Sequence, residues 1–205
     1  PIELSKIGFK IDVLLGSSDG EMGEFNHIVH HLKYNNYKNI NFHLVKPSIL
    51  IRQINFLNTK LRLSFFFYFA LKLWNYKAFK YAKKLNKTFD LTHHLGPIGF
   101  REPGFLFYLE KPHIWGPIGG AQSVPVELLK QKSKYYFISR IKNLLNNLQL
   151  GSKRILNAVK ISKELTYSTK NNRNIFKQKF NVTGSIISDQ AITNEELIRP
   201  SLKKI

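Results

Sequence analysis

Two histidines and a Gly-Pro turn open the stretch of this chain with the most chemistry in it. His93 and His94 precede Gly96-Pro97-Ile98-Gly99, and Arg101-Glu102-Pro103 follow at once. Twenty residues on, Trp115 precedes a second copy of the turn, Gly116-Pro117-Ile118-Gly119, extended by Gly120 and Ala121. Imidazole titrates near neutral pH, so a His at the end of a strand can exchange a proton or a hydrogen bond with a hydroxyl group. Glycine lets the main chain come close to a ligand, and exposed N–H groups then suit an anion such as a phosphate. Arg101 adds a planar guanidinium that fits phosphate or carboxylate. An earlier loop, Gly16–Glu24, offers the same amide chemistry at Gly20 and Gly23. Plainer roles stand beside these: a hydrogen-bonded structural His, packing for Trp115, and an Arg101–Glu102 pair or helix cap for Arg101. His27 and His31 have a metal-compatible spacing but no carboxylate motif nearby, so no metal site is expected.

The elements that must position these residues alternate along the chain. Phe9–Gly16 reads as a buried strand, "FNHIVHHLKY" as a helix, and Asn39–Val45 as a second strand stopping before Pro47. Phe89–Leu95 is a short strand, Arg101–Glu110 a short helix with Pro103 in its first turn, and Lys111–Trp115 the next strand. A helical region from Val124 to about Lys163 is expected to break at Gly151–Ser152. Strands at Glu164–Thr169 and Val182–Ser188 flank a helix over Lys170–Phe180. This order predicts an α/β fold: a Rossmann-like open, mostly parallel sheet with helices on both faces, spanning residues 1–190. Residues 191–205 read as a linker or the start of a further domain. In an open parallel sheet the carboxyl ends of the strands share one rim, so both Gly-Pro-Ile-Gly turns should face one crevice.

Composition narrows the partners. Thirty-two Lys and Arg against thirteen Asp and Glu give a net charge of +19, with no acidic residue between Glu24 and Asp90 or between Glu127 and Glu164. Such stretches attract polyanions. The segment Leu71–Lys87 puts Leu71, Trp74, Ala78, Tyr81, Ala82 and Leu85 on one helical face, with Lys72, Lys77, Lys80, Lys83, Lys84 and Lys87 around the rest. Five aromatics, Phe65–Phe69, precede it. Two outcomes remain open: docking of this helix on an anionic membrane surface, or packing of its apolar face on a sheet with the lysines solvated. No secretory signal is visible, and no apolar run approaches the roughly 18 residues of a membrane span. With no cysteine, disulfides and thiolate metal sites are excluded. Nothing resembles an RNA-binding aromatic motif or a helix-turn-helix, so nucleic acid is not the expected partner. The first strand lacks Gly-x-Gly-x-x-Gly, which sets a nicotinamide-binding domain aside.

The run Asp90-Leu91-Thr92-His93-His94, then Arg101-Glu102-Pro103, then Pro112-His113-Ile114-Trp115-Gly116-Pro117-Ile118-Gly119-Gly120 resembles the N-terminal domain of bacterial family 4 glycosyltransferases, the retaining GT-B class. The match covers about Phe89–Pro125, and Gly16–Glu24 is a looser counterpart of that family's first glycine-rich loop. The resemblance implies a two-domain cytoplasmic enzyme, peripheral on the inner face of the plasma membrane, that acts in polysaccharide or lipopolysaccharide biosynthesis. Its donor substrate would be a nucleotide-diphosphate sugar, its acceptor a saccharide or a lipid-linked sugar, and it would need no cofactor. It casts His93 and His94 as catalytic, without saying which faces the cleft. Gly20, Gly23, Gly116, Gly119 and Gly120 become donor diphosphate and sugar contacts, and Arg101 an acceptor or phosphate contact. The donor domain with its Glu-x7-Glu motif is expected outside this chain, which by itself would not turn over. The competing expectation is a non-catalytic basic module that binds anionic membrane or other polyanions.

Overall fold

The computed structural model describes residues 2–16, 39–61, 64–85, 89–97, 99–123, 125 and 134–187. The early glycine loop with Gly20 and Gly23, the helix expected after the first strand, and Lys87 lie outside the described residues. The chain divides into two compact units, Pro1–Asp90 with Gly104–Lys111, and Leu91–Pro103 with Pro112–Ile205.

The first unit holds a short helix α1 (Ile2–Lys6) and two strands, β1 (Ile11–Leu15) and β2 (Ile40–Leu44), paired parallel from Ile11↔Ile40 to Leu15↔Leu44. Helix α2 (Ile49–Leu61) is absent from the sequence expectations, although its start is signalled locally: Ser48 Oγ accepts from the Ile51 amide at 3.4 Å, just after Pro47. Helix α3 (Ser64–Lys84) is the basic amphipathic helix, and it begins just before the aromatic run, so that it includes Phe65–Phe69. Its Leu71, Ala78 and Ala82 are buried, and Trp74 Nε1 donates to the Val45 carbonyl at 2.8 Å. His43 of β2 sits between Asp12 Oδ1 at 2.7 Å and the Tyr81 hydroxyl at 3.1 Å, tying α3 to both strands. Leu71, Trp74, Ala78 and Ala82 of α3 are thus packed inside their own unit, while Phe65, Phe69, Lys72, Lys80, Lys83 and Lys84 are exposed. The helix expected over Arg101–Glu110 shrinks to a 3-10 turn, Leu106–Tyr108, bracketed by positive φ at Gly104 and Glu110 that an α-helix cannot accommodate.

The second unit carries a four-stranded sheet in the order β3 (Thr92–His94), β4 (His113–Ile118), β5 (Glu164–Tyr167) and β6 (Ser185–Ile186), every pair parallel. Helices α4 (Lys134–Leu150) and α5 (Lys153–Ile161) meet at Gly151–Ser152, as the sequence suggests, and α6 (Lys170–Phe180) has the predicted bounds. Thr169 caps α6 by accepting from the Asn172 amide, and Asn181 ends it at φ 55°. Trp115 is 2% exposed and meets the Phe176 ring edge-on at 5.9 Å, with Tyr167 against the other side of Phe176 at 5.4 Å. Trp115 is therefore a core residue. The last strand is shorter than expected. A Cβ on Gly184 would lie 2.0 Å from the Leu165 carbonyl oxygen, so backbone meets backbone before the two-residue ladder begins. Alternating helices and all-parallel pairing make the fold α/β, consistent with a Rossmann-like open sheet.

Candidate functional site

The site lies in the second unit, where β3 and β4 run out into the two Gly-Pro turns. Side chains alternate along a strand, so Thr92 and His94 point one way into the interior and His93, exposed, points the other. His93 Nε2 lies 2.9 Å from the Gly116 carbonyl oxygen. A carbonyl can only accept, so Nε2 carries the hydrogen, and Nδ1 of the neutral ring is left as an acceptor. Desolvation holds the pKa of His93 below 6.5, outweighing the bond to Gly116, which favours the charged ring.

His94 has a different environment. It is buried and donates from Nε2 to the Glu102 carbonyl at 3.2 Å. Burial pushes its pKa down to about 4. His113, fully buried on β4, pairs through Nδ1 with Thr92 Oγ1 at 2.8 Å, and burial takes it down to about 3. Both rings are neutral at physiological pH and serve the interior. The paired histidines therefore split into an exposed ring at the rim and a structural ring beneath it. His113 was absent from the candidates, because one His inside an apolar strand carries no local signal of its partner.

The Arg-Glu-Pro segment divides its charges similarly. The Glu102 carboxylate is buried and paired with Arg154 of α5, which also donates to the Arg101 carbonyl at 3.4 Å. Arg101 is held instead by neutral amides of α4, its Nε donating to Gln149 Oε1 at 2.9 Å and its Nη2 to Asn146 Oδ1 at 2.5 Å. Its guanidinium lies over the Phe100 ring, 4.9 Å from the centroid. Arg154, Asn146 and Gln149 come from 45 or more residues away in sequence, which is why local motifs miss them.

The glycines also separate by role. Both Gly-Pro bonds, Gly96–Pro97 and Gly116–Pro117, are cis. Gly116 has φ 141°, and a Cβ there would lie 2.2 Å from Thr166 Oγ1 and 2.3 Å from the Thr166 carbonyl oxygen. Close approach of β4 to β5 is what demands glycine at that position, and its own carbonyl is taken by His93. Gly119 pairs with Gly99 in a parallel bridge and accepts from the Phe100 amide at 3.0 Å, so the two Gly-Pro-Ile-Gly turns lie side by side. Gly120 has φ 70°, and a Cβ on it would meet only Arg101 Nη1 at 3.9 Å and Gly99 Cα at 4.0 Å. The glycine loop and the Arg101 guanidinium are therefore neighbours. Past the loop, the Ala121 amide donates at 3.1 Å to Oδ1 of buried Asn172, whose Nδ2 donates in turn to Ser168 Oγ and Thr169 Oγ1.

The structure thus brings His93, Arg101, Gly116, Gly119 and Gly120 onto one rim of the second unit and puts His94 beneath it. The α3 lysines belong to the other unit. Among the described residues, no three His, Asp or Glu side chains gather as a metal ion would require. Comparison with family models, with curated proteins and with solved structures returns no match to this chain.

Proposed function

We propose that this chain is the acceptor-side domain of a retaining, nucleotide-sugar-dependent glycosyltransferase of the two-domain GT-B class. The observation that carries this is the direct bridge between the two Gly-Pro-Ile-Gly turns, with His93 bonded to Gly116 at the start of the second turn and the Arg101 guanidinium beside Gly120 at its end. In such a transfer the bond from the anomeric carbon to the diphosphate oxygen breaks as the acceptor hydroxyl oxygen bonds to that carbon and its proton passes to the departing diphosphate. The diphosphate departs with growing negative charge. A fixed guanidinium, next to glycine backbone at Gly119 and Gly120, stabilises that charge more than it stabilises the intact donor. His93 stays neutral at pH 7 and presents Nδ1 as an acceptor for a sugar or acceptor hydroxyl. His94 orients the rim through the Glu102 carbonyl and touches no substrate. The other expected lip, Gly20 and Gly23, lies outside the described residues, and the donor domain would be a separate α/β domain with Glu-x7-Glu.

The test is titration of the chain with nucleotide-diphosphate sugars, followed by backbone amide and imidazole resonances. Shifts confined to Gly119, Gly120, Arg101 and His93, with a dissociation constant of about 1 mM or tighter, are expected, since half a site supplies only part of the binding energy. No perturbation at these residues by any of the common nucleotide sugars overturns the assignment.

A further inference from the structure

Helix α4 turns an apolar stripe outward. Its buried or half-buried side is mixed: Ser139, Asn143 and Asn146, the last 8% exposed and bonded to Arg101, share it with Tyr136 and with Leu150, which is 2% exposed. The outward side carries Phe137, Ile138, Ile141, Leu144, Leu145 and Leu148, with exposures from 39 to 64%. At about 100° per residue these six fall within about 120° of the circumference, diametrically opposite the covered side. Arg140 borders one edge of this stripe and Lys142 the other, both exposed. No acidic residue occurs in the helix or anywhere between Glu127 and Glu164.

A helix in a globular domain ordinarily turns its apolar stripe inward, and a contiguous exposed stripe marks an interaction surface. Basic residues along both margins, with no acid among them, select a negatively charged partner. Arg and Lys stems lie along apolar surface while their heads reach a polar layer. An apolar stripe edged by cations matches the acyl boundary and phosphate layer of an anionic bilayer. A second copy of the chain suits this surface less well, because facing α4 helices would set Arg140 and Lys142 against their own kind. None of the described helices is long and apolar enough to cross a membrane, so this contact lies in the plane of the surface.

We propose that α4 is an interfacial helix seating the second unit on anionic lipid, with Ile141, Leu144 and Leu148 in the acyl boundary and Arg140 and Lys142 on the headgroup phosphates. This contact is separate from α3, whose Leu71, Ala78 and Ala82 are already buried in its own unit. Because Asn146 and Gln149 of the same helix hold Arg101, the lipid-facing helix also carries the guanidinium of the rim.

The test is co-sedimentation of the full chain with vesicles of phosphatidylcholine alone or mixed with phosphatidylglycerol. Wild-type protein should partition onto the mixed vesicles and release as salt is raised. The double variant Ile141→Glu, Leu144→Glu should lose about tenfold or more in partitioning while its far-UV circular dichroism and urea midpoint stay unchanged, since both sites are exposed. The single variant Leu148→Glu gives the same reading should the double variant misfold. Arg140→Glu with Lys142→Glu should abolish the preference for anionic over neutral vesicles. Partitioning that survives the apolar substitutions overturns the proposal. So does a vesicle-independent dimer, seen by analytical ultracentrifugation, that those substitutions dissolve. No sugar or donor domain enters this measurement, so its outcome is separate from that of the transferase assignment.

Discussion

Arg154 of α5 engages the carboxylate of Glu102 in an ion pair whose acidic side chain is only 2% exposed. Around that pair the Arg-Glu-Pro segment is organised: Glu102 takes the buried charge partner, its carbonyl takes His94, and Arg101 donates to side-chain amides of α4. Removing the guanidinium exposes a buried carboxylate to the full cost of desolvation. Arg154→Met should therefore lower stability by on the order of 3 kcal/mol, read as a drop in the urea midpoint. Adding Glu102→Gln to that variant should restore part of the loss. Equal midpoints for Arg154→Met and wild type would show that the pair contributes nothing.

The two interior histidines predict an acid-sensitive fold. Their folded pKa values, about 4 for His94 and about 3 for His113, lie below the 6.5 that each regains on unfolding. Between those values the unfolded chain holds more protons than the folded one, so stability rises with pH there. It is fully present above pH 6.5 and is lost as the pH falls towards 4, at up to about 1.4 kcal/mol per pH unit for each ring. Urea titrations at pH 7.5 and 5.0 should show the midpoint falling at the lower pH. His94→Gln should flatten that slope, whatever it does to stability at pH 7.5.

Substitution of the glycines should separate a packing role from a conformational one. In Gly116→Ala the new methyl group meets the Thr166 backbone at 2.3 Å, so β4 and β5 must part, and a loss of about 3 kcal/mol or more is expected. In Gly120→Ala there is room, and only the positive φ opposes the side chain, at about 1 kcal/mol. Asparagine, which tolerates that backbone region, should be milder than alanine at position 120. A reversal of this order by thermal or urea unfolding would contradict the strand approach described above.

Ligand binding should depend on Arg101 and His93 but not on folding through them. With Arg101→Ala, affinity for a nucleotide-diphosphate sugar should fall by about tenfold, the order of one charge-assisted contact. His93→Ala should weaken the sugar's contribution, seen as a smaller difference in affinity between nucleotide sugar and free nucleotide diphosphate. Calorimetric titration reads both effects, and affinities unchanged in both variants would remove these residues from the site.

The α/β class, the break at Gly151–Ser152, α6 and the pairing of the two glycine turns were all legible in the sequence. They rest on apolar runs, turn residues and the rule that parallel strand ends share a rim. What escaped notice depends on distant chain. Nothing near Leu144 in the sequence says which side of α4 will be covered, since periodicity identifies an apolar stripe and not its destination. The same blindness hid the packing partner of α3, since Trp74 reaches Val45 from 29 residues away. His93 and His94 are adjacent and identical in type, yet strand alternation separates their roles, and only burial says which is which. Short elements failed where backbone sterics intervene, as at Gly104 and Gly184.

Asn172 sets the exit of the second glycine turn from a position 51 residues downstream of Ala121, whose amide it receives. During synthesis the turn leaves the ribosome well before its anchor, so the rim stays unfastened until α6 has emerged. A ribosome-stalled chain ending before Asn172 should therefore show Ala121 exchanging its amide hydrogen freely. One extended past Phe180 by a linker long enough to carry the anchor clear of the exit tunnel should show it protected.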